Sequence, residues 1–364
     1  MVKIVIPNEI IDVLDKILEN GFEAYLVGGF VRDFLLHRNT NDFDIATNAL
    51  PSDLVKIFGP SYKTIQYGCY NMRLKNYNLD ITTYRKEEAY EGRNPSKIVY
   101  TNNLILDAGR RDFTMNALYM NRNGEIIDLY DGQKDIKRKV IKAIGNPTTR
   151  VREDPLRILR AVRFSSTYHF SLDKNLANAI KKDKKMLNEL SLSRIKKELD
   201  GILLADGFTL LRQLNLLKEL HIETKHIVYV NDLSGLWAQI KTSVSYPQEK
   251  SLKMRQKNIE ELLKCDTISM QNLYKFGYYD CLVAAKIMKY PLKKLESLEK
   301  KLPIHSRRDI ALTGEEIKAV SSLKGQEVGI LINTIEQEIL KGKLPNEKQA
   351  LLNFILNWQK NGGV

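Results

Sequence analysis

Residues 24–47 read AYLVGGFVRDFLLHRNTNDFDIAT, and this stretch decides the fold of the first part of the chain. A short apolar run leads into the turn Gly28-Gly29, and a second apolar run typical of a helix follows it. Asp42 and Asp44 come next on a predicted strand, where alternating side chains share one face. The pattern therefore predicts a strand, a tight turn, a helix and a second strand that carries two carboxylates.

The spacing of Asp42 and Asp44 indicates a site for a hard cation. Two carboxylates this close repel each other unless a cation lies between them, and Mg²⁺ held by carboxylates and phosphate oxygens is the usual solution. A lone Asp-x-Asp pair is more often a solvated edge. Here a glycine turn lies nearby, and backbone N–H groups at a helix N-terminus bind anions. The sequence thus places a phosphate site at Gly28 and Gly29 beside a metal site.

The composition favours an acidic macromolecular partner. The 364 residues hold 57 Lys and Arg against 44 Asp and Glu, which gives a net charge of +13. Such an excess suits nucleic acid, although a protein from a lysine-rich proteome would show it too. A chain of this length is expected to form about two to four domains.

The sequence also predicts a cytoplasmic protein without a membrane anchor. Cys69, Cys265 and Cys281 are widely spaced and show no metal-ligand pattern, so we expect reduced thiols. Residues 1–7 are too short for a signal peptide. No apolar run approaches the roughly 18 residues that a membrane span requires.

Apolar periodicity divides the chain into a mixed α/β part and a helical part. It predicts a helix over 8–20 and a hairpin at Asn123-Gly124. Beyond Gly145-Asn146-Pro147 the sequence becomes helical and lysine-rich, which predicts a boundary near 147. Weaker breaks lie near 206 and between 291 and 303. The expected strands are 24–27, 42–46, 63–75 and 78–85.

Two further groups of polar residues suit a nucleotide. Arg110 and Arg111 precede Asp112, and guanidinium groups bind phosphate oxygens while a carboxylate accepts from sugar hydroxyls. A surface ion cluster is the alternative. Asp80 opens a later strand and would supply a third catalytic carboxylate, unless it is a strand-end residue that faces solvent. Asp33 has two interpretations as well, part of the phosphate site or a helix-face partner of Arg32 or His37.

Residues 152–164 read REDPLRILRAVRF and predict a helix with a basic face. Asp154 before Pro155 is a typical helix start, with aspartate at the N-cap and proline at N1. Asp154 would then simply cap the helix. It also lies three residues before Arg157 on one face, with Arg160 a further turn on.

The Asp154–Arg157 pair offers an acceptor and a donor array to the edge of a nucleobase. Cytosine and adenine both carry an exocyclic amino donor beside a ring-nitrogen acceptor, whereas uracil and guanine present the reverse. The pair would accept C and A, and it would leave buried polar groups unpaired against U and G. This reading requires Asp42 and Asp44 to share one cavity with the Asp154–Arg157 pair.

The chain closely resembles the class II CCA-adding enzymes, the tRNA nucleotidyltransferases related to bacterial poly(A) polymerases. The segment 193–199 is similar to the family's next motif, and 344–348 looks like its tail region. The motifs that carry the resemblance are Leu26-Val27-Gly28-Gly29-x-Val31-Arg32-Asp33, Asp42-x-Asp44-Ile45-Ala46-Thr47, Arg110-Arg111-Asp112-Phe113-Thr114-x-Asn116-Ala117 and Glu153-Asp154-x-x-Arg157-x-Leu159-Arg160-Ala161-x-Arg163-Phe164.

The resemblance implies an α+β fold with a nucleotidyltransferase head over 1–147, followed by a helical neck over 148–206, a body over 207–295 and a tail over 296–364. It also implies transfer of C, C and A from CTP and ATP to the 3′ end of tRNA, with pyrophosphate released and without a template. The tRNA acceptor stem and elbow would lie along the helical region. A monomer or a homodimer is expected.

The resemblance also assigns roles to individual residues. Asp42 and Asp44 would hold Mg²⁺, with Asp80 as the third catalytic carboxylate. The remaining site residues would bind substrate: Gly28, Gly29 and Arg32 the phosphates, Arg111 and Asp112 the ribose and phosphates, Asp154 and Arg157 the base, and Asn116, Arg160 and Arg163 further parts of the nucleotide.

Other functions stay open at this point. Residues 85–95 look like the family's flexible segment for the final A addition, so full CCA addition is favoured over an enzyme that adds only CC or only A. A poly(A) polymerase of the same fold is the nearest alternative. From another class, a non-catalytic RNA-binding protein would keep the fold without the chemistry.

Overall fold

The computed structural model describes residues 6–61, 68–74, 77–91, 94–321, 323 and 325–360. The chain divides into two units, one of Met1–Lys225 with Thr242–Pro247 and one of His226–Lys241 with Gln248–Val364. The predicted α+β class is confirmed. The predicted domain limits at 147, 206 and 295 stay a prediction.

The strands lie in the first unit and are all short. They are β1 (Ala24–Val27), β2 (Phe43–Thr47), β3 (Cys69–Arg73), β4 (Asn78–Thr83), β5 (Arg85–Glu91), β6 (Asn94–Tyr100), β7 (Leu118–Met120), β8 (Ile126–Asp128), β9 (Val140–Ile141) and β10 (Ser171–Leu172).

Helices occur in both units. The first unit holds α1 (Asn8–Glu19), α2 (Gly29–Leu35), α3 (Pro51–Phe58), α4 (Leu104–Gly109), α5 (Gly132–Arg138), α6 (Pro147–Glu153), α7 (Leu156–Tyr168), α8 (Lys174–Asp183), α9 (Leu192–Leu204) and α10 (Phe208–Gln213). The second holds α11 (Leu233–Trp237), α12 (Lys250–Leu262), α13 (Met270–Met288), α14 (Leu292–Lys300), α15 (Gly314–Ser321), α16 (Gln326–Leu340) and α17 (Lys348–Lys360).

A mixed sheet in the order β3-β4-β2-β1-β7-β8 forms the centre of the first unit. Among the described strands of this sheet, β2 and β4 alone pair in parallel, and their register sets Asp44 opposite Asp80. On the other side of β2, Asp44 faces Val27 across an antiparallel ladder. The register therefore brings the acidic strand next to the strand that leads into the glycine turn.

One buried cluster of the sheet contains aromatic rings and a residue of the acidic strand, Ala46. This cluster joins Val27 and Ala46 to Tyr84 and Tyr119. Tyr25 packs edge-on against Tyr119, with ring centroids 6.3 Å apart. Burial of such rings supplies much of the packing energy of a small core. The site strands thus rest on a rigid base.

The helical part of the first unit is tied to the sheet region by a short parallel ladder. Strand β10 follows α7 and pairs with β9, in the register Ser171 to Val140. Helix α7 packs against α9, and α6 packs against α8. These contacts fix α7 relative to the sheet.

Several expectations from the sequence are confirmed. Helix α1 and strand β1 match the predicted ranges, and the hairpin at Asn123-Gly124 joins β7 to β8 with Gly124 at φ +83°. The predicted strand over 63–75 contains β3 (Cys69–Arg73). Residues 62–67 and 75–76 lie outside the described part, so the ends of this prediction fall on residues that the structure does not describe. Residues 92–93 of the predicted 85–95 segment also lie outside it, while β5 and β6 on either side pair as antiparallel strands.

Two predicted boundaries were wrong by one residue. Strand β2 begins at Phe43, so Asp42 lies just before it rather than within it. Helix α7 begins at Leu156, which puts Pro155 at the N-cap and Asp154 at the end of α6. The predicted break at Asp154-Pro155 is present, but Pro155 is the N-cap rather than the first helical residue, and the Asp154 carboxylate still accepts from the Leu156 N–H at 3.1 Å.

The second unit is helical in its described part, and a network of buried charges joins its helices. Arg255 on α12 donates to Asp280 on α13 at 2.8 Å and to Asp232 before α11 at 3.0 Å. Gly277 adopts φ +78° and kinks α13. In the described part of the chain, no helix combines the length and the apolar character that crossing a membrane requires.

Gly132, the first residue of α5, leaves no room for a side chain. An added Cβ would collide with the Thr114 carbonyl oxygen and lie 2.9 Å from its carbon. We expect Gly132→Ala to lower the free energy of unfolding by about 1–3 kcal/mol, because the turn at Thr114–Asn116 must move. Urea denaturation followed by circular dichroism measures the change.

Gly329→Ala in α16 is the matched control, because its Cβ would meet no atom within 4 Å. It should stabilise the protein slightly, by up to about 1 kcal/mol. Equal unfolding midpoints for Gly132→Ala and the unchanged protein would contradict the steric argument.

Candidate active site

A cleft of about 500 Å³ lies in the first unit beside the sheet and α7. Every predicted site residue except Asp80 lines it, and Arg110 and Phe164 line it in addition. The cleft therefore brings the acidic pair and the Asp154–Arg157 pair onto one cavity. Its lining residues are Gly28, Gly29, Arg32, Asp42, Asp44, Arg110, Arg111, Asp112, Asn116, Asp154, Arg157, Arg160, Arg163 and Phe164.

The acidic pair concentrates negative charge at one end of this cleft. Asp42 is exposed just before β2, and Asp44 is partly buried within the strand. Burial, and after it the carboxylate of Asp42, raise the pKa of Asp44 to about 6, with Arg111 opposing the shift and Asp80 adding to it. A cation bound here would stabilise the charged form of Asp44, because it offsets both burial and repulsion.

Asp80 lies next to Asp44 on the sheet, but it is not among the described residues that line the cleft. Its carboxylate accepts a hydrogen bond of 2.6 Å from the Asn71 side chain. Within the described residues, no group of three or more His, Cys, Asp or Glu side chains is arranged to hold a metal ion. A metal at Asp42 and Asp44 would therefore need further oxygen ligands, such as those of a nucleotide.

The glycine turn lies close to one positive and one negative side chain of the cleft, Arg111 and Asp44. Gly28 adopts φ +71°, a conformation that favours glycine. A Cβ there would lie 3.7 Å from Arg111 Nη1 and 3.8 Å from Asp44 Oδ2. Without that Cβ, the backbone at the start of α2 stays open to the cleft.

Arg32 is buried and its guanidinium is held on several sides. Nε and Nη2 donate to Asp33 at 3.1 and 3.0 Å, and Nη1 donates to Asn116 at 2.7 Å. Asp33 is thus a partner of Arg32, the second of the two interpretations that the sequence left open. The arrangement fixes a positive charge at the cleft before any ligand binds.

Arg111 is positioned by a residue that sequence reasoning missed. The fully buried Asp107 accepts from Arg111 Nη2 at 3.1 Å, from Arg110 Nε at 2.8 Å and from the Tyr119 hydroxyl at 2.7 Å. Burial alone would raise the pKa of Asp107, but the two arginines and Tyr119 lower it overall. The helical spacing of Asp107 to Arg110 and Arg111 is the sequence signal that would have identified it.

Asp112 connects the loop that follows α4 to α7. One carboxylate oxygen accepts from the Asn116 side chain at 2.9 Å and the other from Arg160 Nε at 2.7 Å. Burial opposes ionisation, yet Arg160 and Asn116 lower the pKa of Asp112 to about 2. The carboxylate is therefore charged at neutral pH and already oriented.

Asp154 and Arg157 reach the cleft from the junction between α6 and α7. The Asp154 carboxylate accepts from the backbone N–H of Leu156 at 3.1 Å, so it also caps the start of α7. Arg157 donates to the carbonyl oxygens of Arg150 at 2.9 Å and of Arg110 at 3.2 Å. Both side chains are thereby held at the edge of the same cavity.

Glu198 on α9 is the second residue that sequence reasoning missed. This buried carboxylate accepts from Arg163 Nε at 2.7 Å and lies 3.8 Å from Arg160 Nη1. Glu198 therefore helps to hold two of the cleft arginines in position. Its position in the 193–199 motif is the only sequence signal that would have marked it.

Comparisons with known proteins identify the family of this chain. Residues 24–142 match the family model described as the Poly A polymerase head domain, and residues 212–355 match tRNA nucleotidyltransferase domain 2. The chain is 32% identical to the CCA-adding enzyme of Enterococcus faecalis over 404 residues, which covers 98% of each chain. This chain belongs to the CCA-adding enzyme family.

Solved structures of CCA-adding enzymes share the fold. The Bacillus stearothermophilus CCA-adding enzyme in complex with CTP has a TM-score of 0.81 at 24% identity, with 98% of each chain covered. The Thermotoga maritima CCA-adding enzyme complexed with tRNA-CCA has a TM-score of 0.66 at 20% identity, covering 97% of this chain and 96% of that one. The chain is thus a nucleotidyltransferase of the CCA-adding family, whose members generally use divalent metal ions.

Asp107→Asn tests how strongly the buried carboxylate supports the CCA-adding fold. We expect a loss of about 3 kcal/mol in the free energy of unfolding, because Arg110 and Arg111 lose the charge that balances them. Urea denaturation measures it.

The control for this change is Glu261→Gln, which breaks an exposed ion pair with Lys275 and should leave the urea unfolding midpoint almost unchanged. A similarly small cost for Asp107→Asn would mean that Asp107 does not hold the arginines.

Proposed function

We propose that this chain adds C, C and A to the 3′ end of tRNA without a template, using CTP and ATP and releasing pyrophosphate. The observation that supports it best is that the acidic pair Asp42 and Asp44 and the acid–guanidinium pair Asp154 and Arg157 line one cleft. A transferase must hold the reacting phosphate and read the base of the same nucleotide, and both requirements fall on this cavity.

We propose Mg²⁺ as the divalent ion, held by Asp42 and Asp44. The fit rests on the donors, since two carboxylate oxygens at a cleft suit a hard cation that completes its shell with phosphate oxygens. When bound, such ions activate the attacking hydroxyl and stabilise charge on the leaving oxygen. Asp80, which is hydrogen-bonded to Asn71, would support Asp44 from the neighbouring strand.

The phosphates and the ribose would be bound by groups that are already oriented. Backbone N–H groups at Gly28-Gly29 and the guanidiniums of Arg32 and Arg111 face the triphosphate. The Asp112 carboxylate, charged at neutral pH, accepts from a ribose hydroxyl. Fixed donors of this kind stabilise the charge that develops on the leaving pyrophosphate, because no reorganisation is needed during the reaction.

Asp154 and Arg157 would read the base. The Asp154 carboxylate accepts from the exocyclic amino group of cytosine or adenine, and Arg157 donates to the neighbouring ring nitrogen. Uracil would set its carbonyl against the carboxylate and its N–H against the guanidinium. Two opposed pairs in a buried site account for discrimination without a template.

The reaction is attack of the tRNA 3′-hydroxyl oxygen on the α-phosphorus of CTP or ATP. The new bond joins that oxygen to phosphorus, the hydroxyl loses its proton, and the bond from the α-phosphorus to the oxygen that bridges it to the β-phosphorus breaks. The head at 1–147 and the neck at 148–206 would carry this chemistry. The helical body and tail, within a chain of net charge +13, would bind the acceptor stem and elbow through the RNA backbone.

Asp42→Ala and Asp44→Ala should each lower the rate of nucleotide transfer by several orders of magnitude, because the ion loses half of its protein ligands. Binding of tRNA should be kept, since the proposed RNA contacts belong to basic residues of the helical region and not to the acidic pair. Single-turnover transfer from labelled CTP and a filter-binding assay measure the two quantities.

Asp53→Ala is the control, because this aspartate forms a surface pair with Lys56 on α3 and does not line the cleft. Normal turnover in either cleft variant would remove the metal assignment.

Asp154→Ala should relax the choice of base more than it slows transfer, because the carboxylate that opposes the uracil carbonyl is gone. The ratio of kcat/KM for CTP to that for UTP is the measurement, and we expect it to fall at least tenfold.

Asp173→Ala is the matched control for the loss of a helix cap, because Asp173 caps α8 through its bonds to Asn175 and Leu176. An unchanged CTP-to-UTP ratio in Asp154→Ala would refute the base-reading role.

The products formed on a tRNA that lacks its 3′ end separate the remaining candidates. CTP alone should give addition of CC, and ATP alone should give little addition. Both nucleotides together should give addition of CCA. A product that stops at CC even with ATP would identify an enzyme that adds only CC, and long A tails would identify a poly(A) polymerase. Absence of pyrophosphate release in all three would support a non-catalytic RNA-binding protein.

A further inference from the structure

Two aromatic rings on α7 face an arginine from another part of the first unit. Phe164 and Tyr168 lie one turn apart, with ring centroids separated by 6.2 Å. The Arg32 guanidinium carbon lies 4.5 Å from the centroid of Tyr168 and 5.2 Å from that of Phe164. A guanidinium this close to a ring is attracted by the π-electrons, more strongly when it is desolvated. Arg32 is buried, with 6% of its surface exposed.

Tyr168 holds Arg32 in a second way, through Asp33. The Tyr168 hydroxyl donates to Asp33 Oδ1 at 2.9 Å, and Asp33 in turn accepts both Nε and Nη2 of Arg32. The three side chains therefore form a closed unit, in which the ring holds the face of the guanidinium and the carboxylate holds its edge. A change in Tyr168 acts on both at once.

This unit controls a group at the nucleotide site, although Tyr168 is not among the described residues that line the cleft. Arg32 lines the cleft next to the glycine turn, where a Cβ on Gly29 would lie 3.7 Å from Arg32 Nη2. The remaining fixed contact of Arg32, to Asn116 at 2.7 Å, comes from the sheet region. The orientation of Arg32 thus depends on α7, the helix that follows Asp154.

We propose that Tyr168 is a positioning residue, which orients Arg32 through its ring and through Asp33 so that the guanidinium meets the triphosphate. The inference rests on the proposed function, since it takes the ligand at the glycine turn to be a nucleoside triphosphate. Tyr168 acts on the phosphate end of the nucleotide and leaves base reading to Asp154 and Arg157. Helix α7 thereby supports both ends of one ligand.

The test compares ligands that share the triphosphate but differ in the base. Affinities for CTP, UTP and inorganic triphosphate are measured by calorimetry, in the presence of Mg²⁺, for the unchanged protein and for Tyr168→Leu. We expect Tyr168→Leu to weaken all three by about tenfold, with the CTP-to-UTP ratio unchanged. A purely structural loosening would move that ratio, and an unchanged affinity for CTP and triphosphate would overturn the proposal.

Tyr168→Phe keeps the ring and removes only the bond to Asp33. It should weaken the affinities for CTP and triphosphate by about threefold. If Tyr168→Leu does not fold, this variant is the test, and affinities equal to those of the unchanged protein would overturn the proposal. Arg38→Ala is the control, because Arg38 lies 4.9 Å from the same ring and donates to the Thr167 carbonyl but does not line the cleft. It should leave the affinities unchanged.

A double-variant cycle tests whether Tyr168 acts through Arg32. In an Arg32→Ala background, Tyr168→Leu should cause no further loss of CTP affinity, because the group it positions is absent. A further tenfold loss would show that Tyr168 acts independently of Arg32 and would overturn the inference. If the unchanged protein bound neither CTP nor triphosphate, the proposed function would fail. If the unchanged protein bound both and Tyr168→Leu bound them with the same affinity, only the inference about Tyr168 would be refuted.

Discussion

The site depends on the placement of unlike charges before any ligand arrives. Asp42 and Asp44 repel each other across a short distance in sequence, and the sheet holds them together because β2 is fixed between β1 and β4. Burial then raises the pKa of Asp44 to about 6, so the protein holds this carboxyl at an energetic cost. The arginines that line the same cleft make the opposite contribution. A nucleotide with its metal ion carries both signs of charge and satisfies both sides.

Each cleft arginine is bound by the protein itself. Arg32 has Asp33, Arg111 has Asp107, Arg160 has Asp112, and Arg163 has Glu198. A long side chain that is already ordered loses little conformational freedom when a phosphate binds, so binding free energy is not used to order it. The carboxylates also keep so many positive charges from repelling each other in the folded chain. The family shares this fold at low sequence identity, as the TM-score of 0.81 at 24% identity shows.

The sequence predicted the elements and residues that have local signals. Alternation placed the carboxylates on a strand, the glycine pair marked the turn, and the basic run after Asp154 marked a helix. Glu198 escaped because its importance lies in the arginines that it contacts, and its contact to Arg163, 35 residues away, has no local pattern. Asp107 did have a local signal, its helical spacing to Arg110 and Arg111, but that spacing alone does not distinguish a buried partner from a surface ion pair. The start of α7 was placed one residue early. The Asp154-Pro155 pair marked the break between α6 and α7, but the residue at which a helix begins is set by the backbone at the cap, which such a pair does not fix to within one residue.

The peptide of Arg110 and Arg111 offers its carbonyl oxygens to the helical region. Arg150 donates to both, at 2.5 and 2.7 Å, and Arg157 adds a bond to the first of them. Because main-chain oxygens are present whatever residue occupies a position, this joint is insensitive to substitution at position 110 so long as the backbone path is kept. This tolerance covers the main-chain joint alone, because a substitution at position 110 would still remove the ion pair of Arg110 with the buried Asp107.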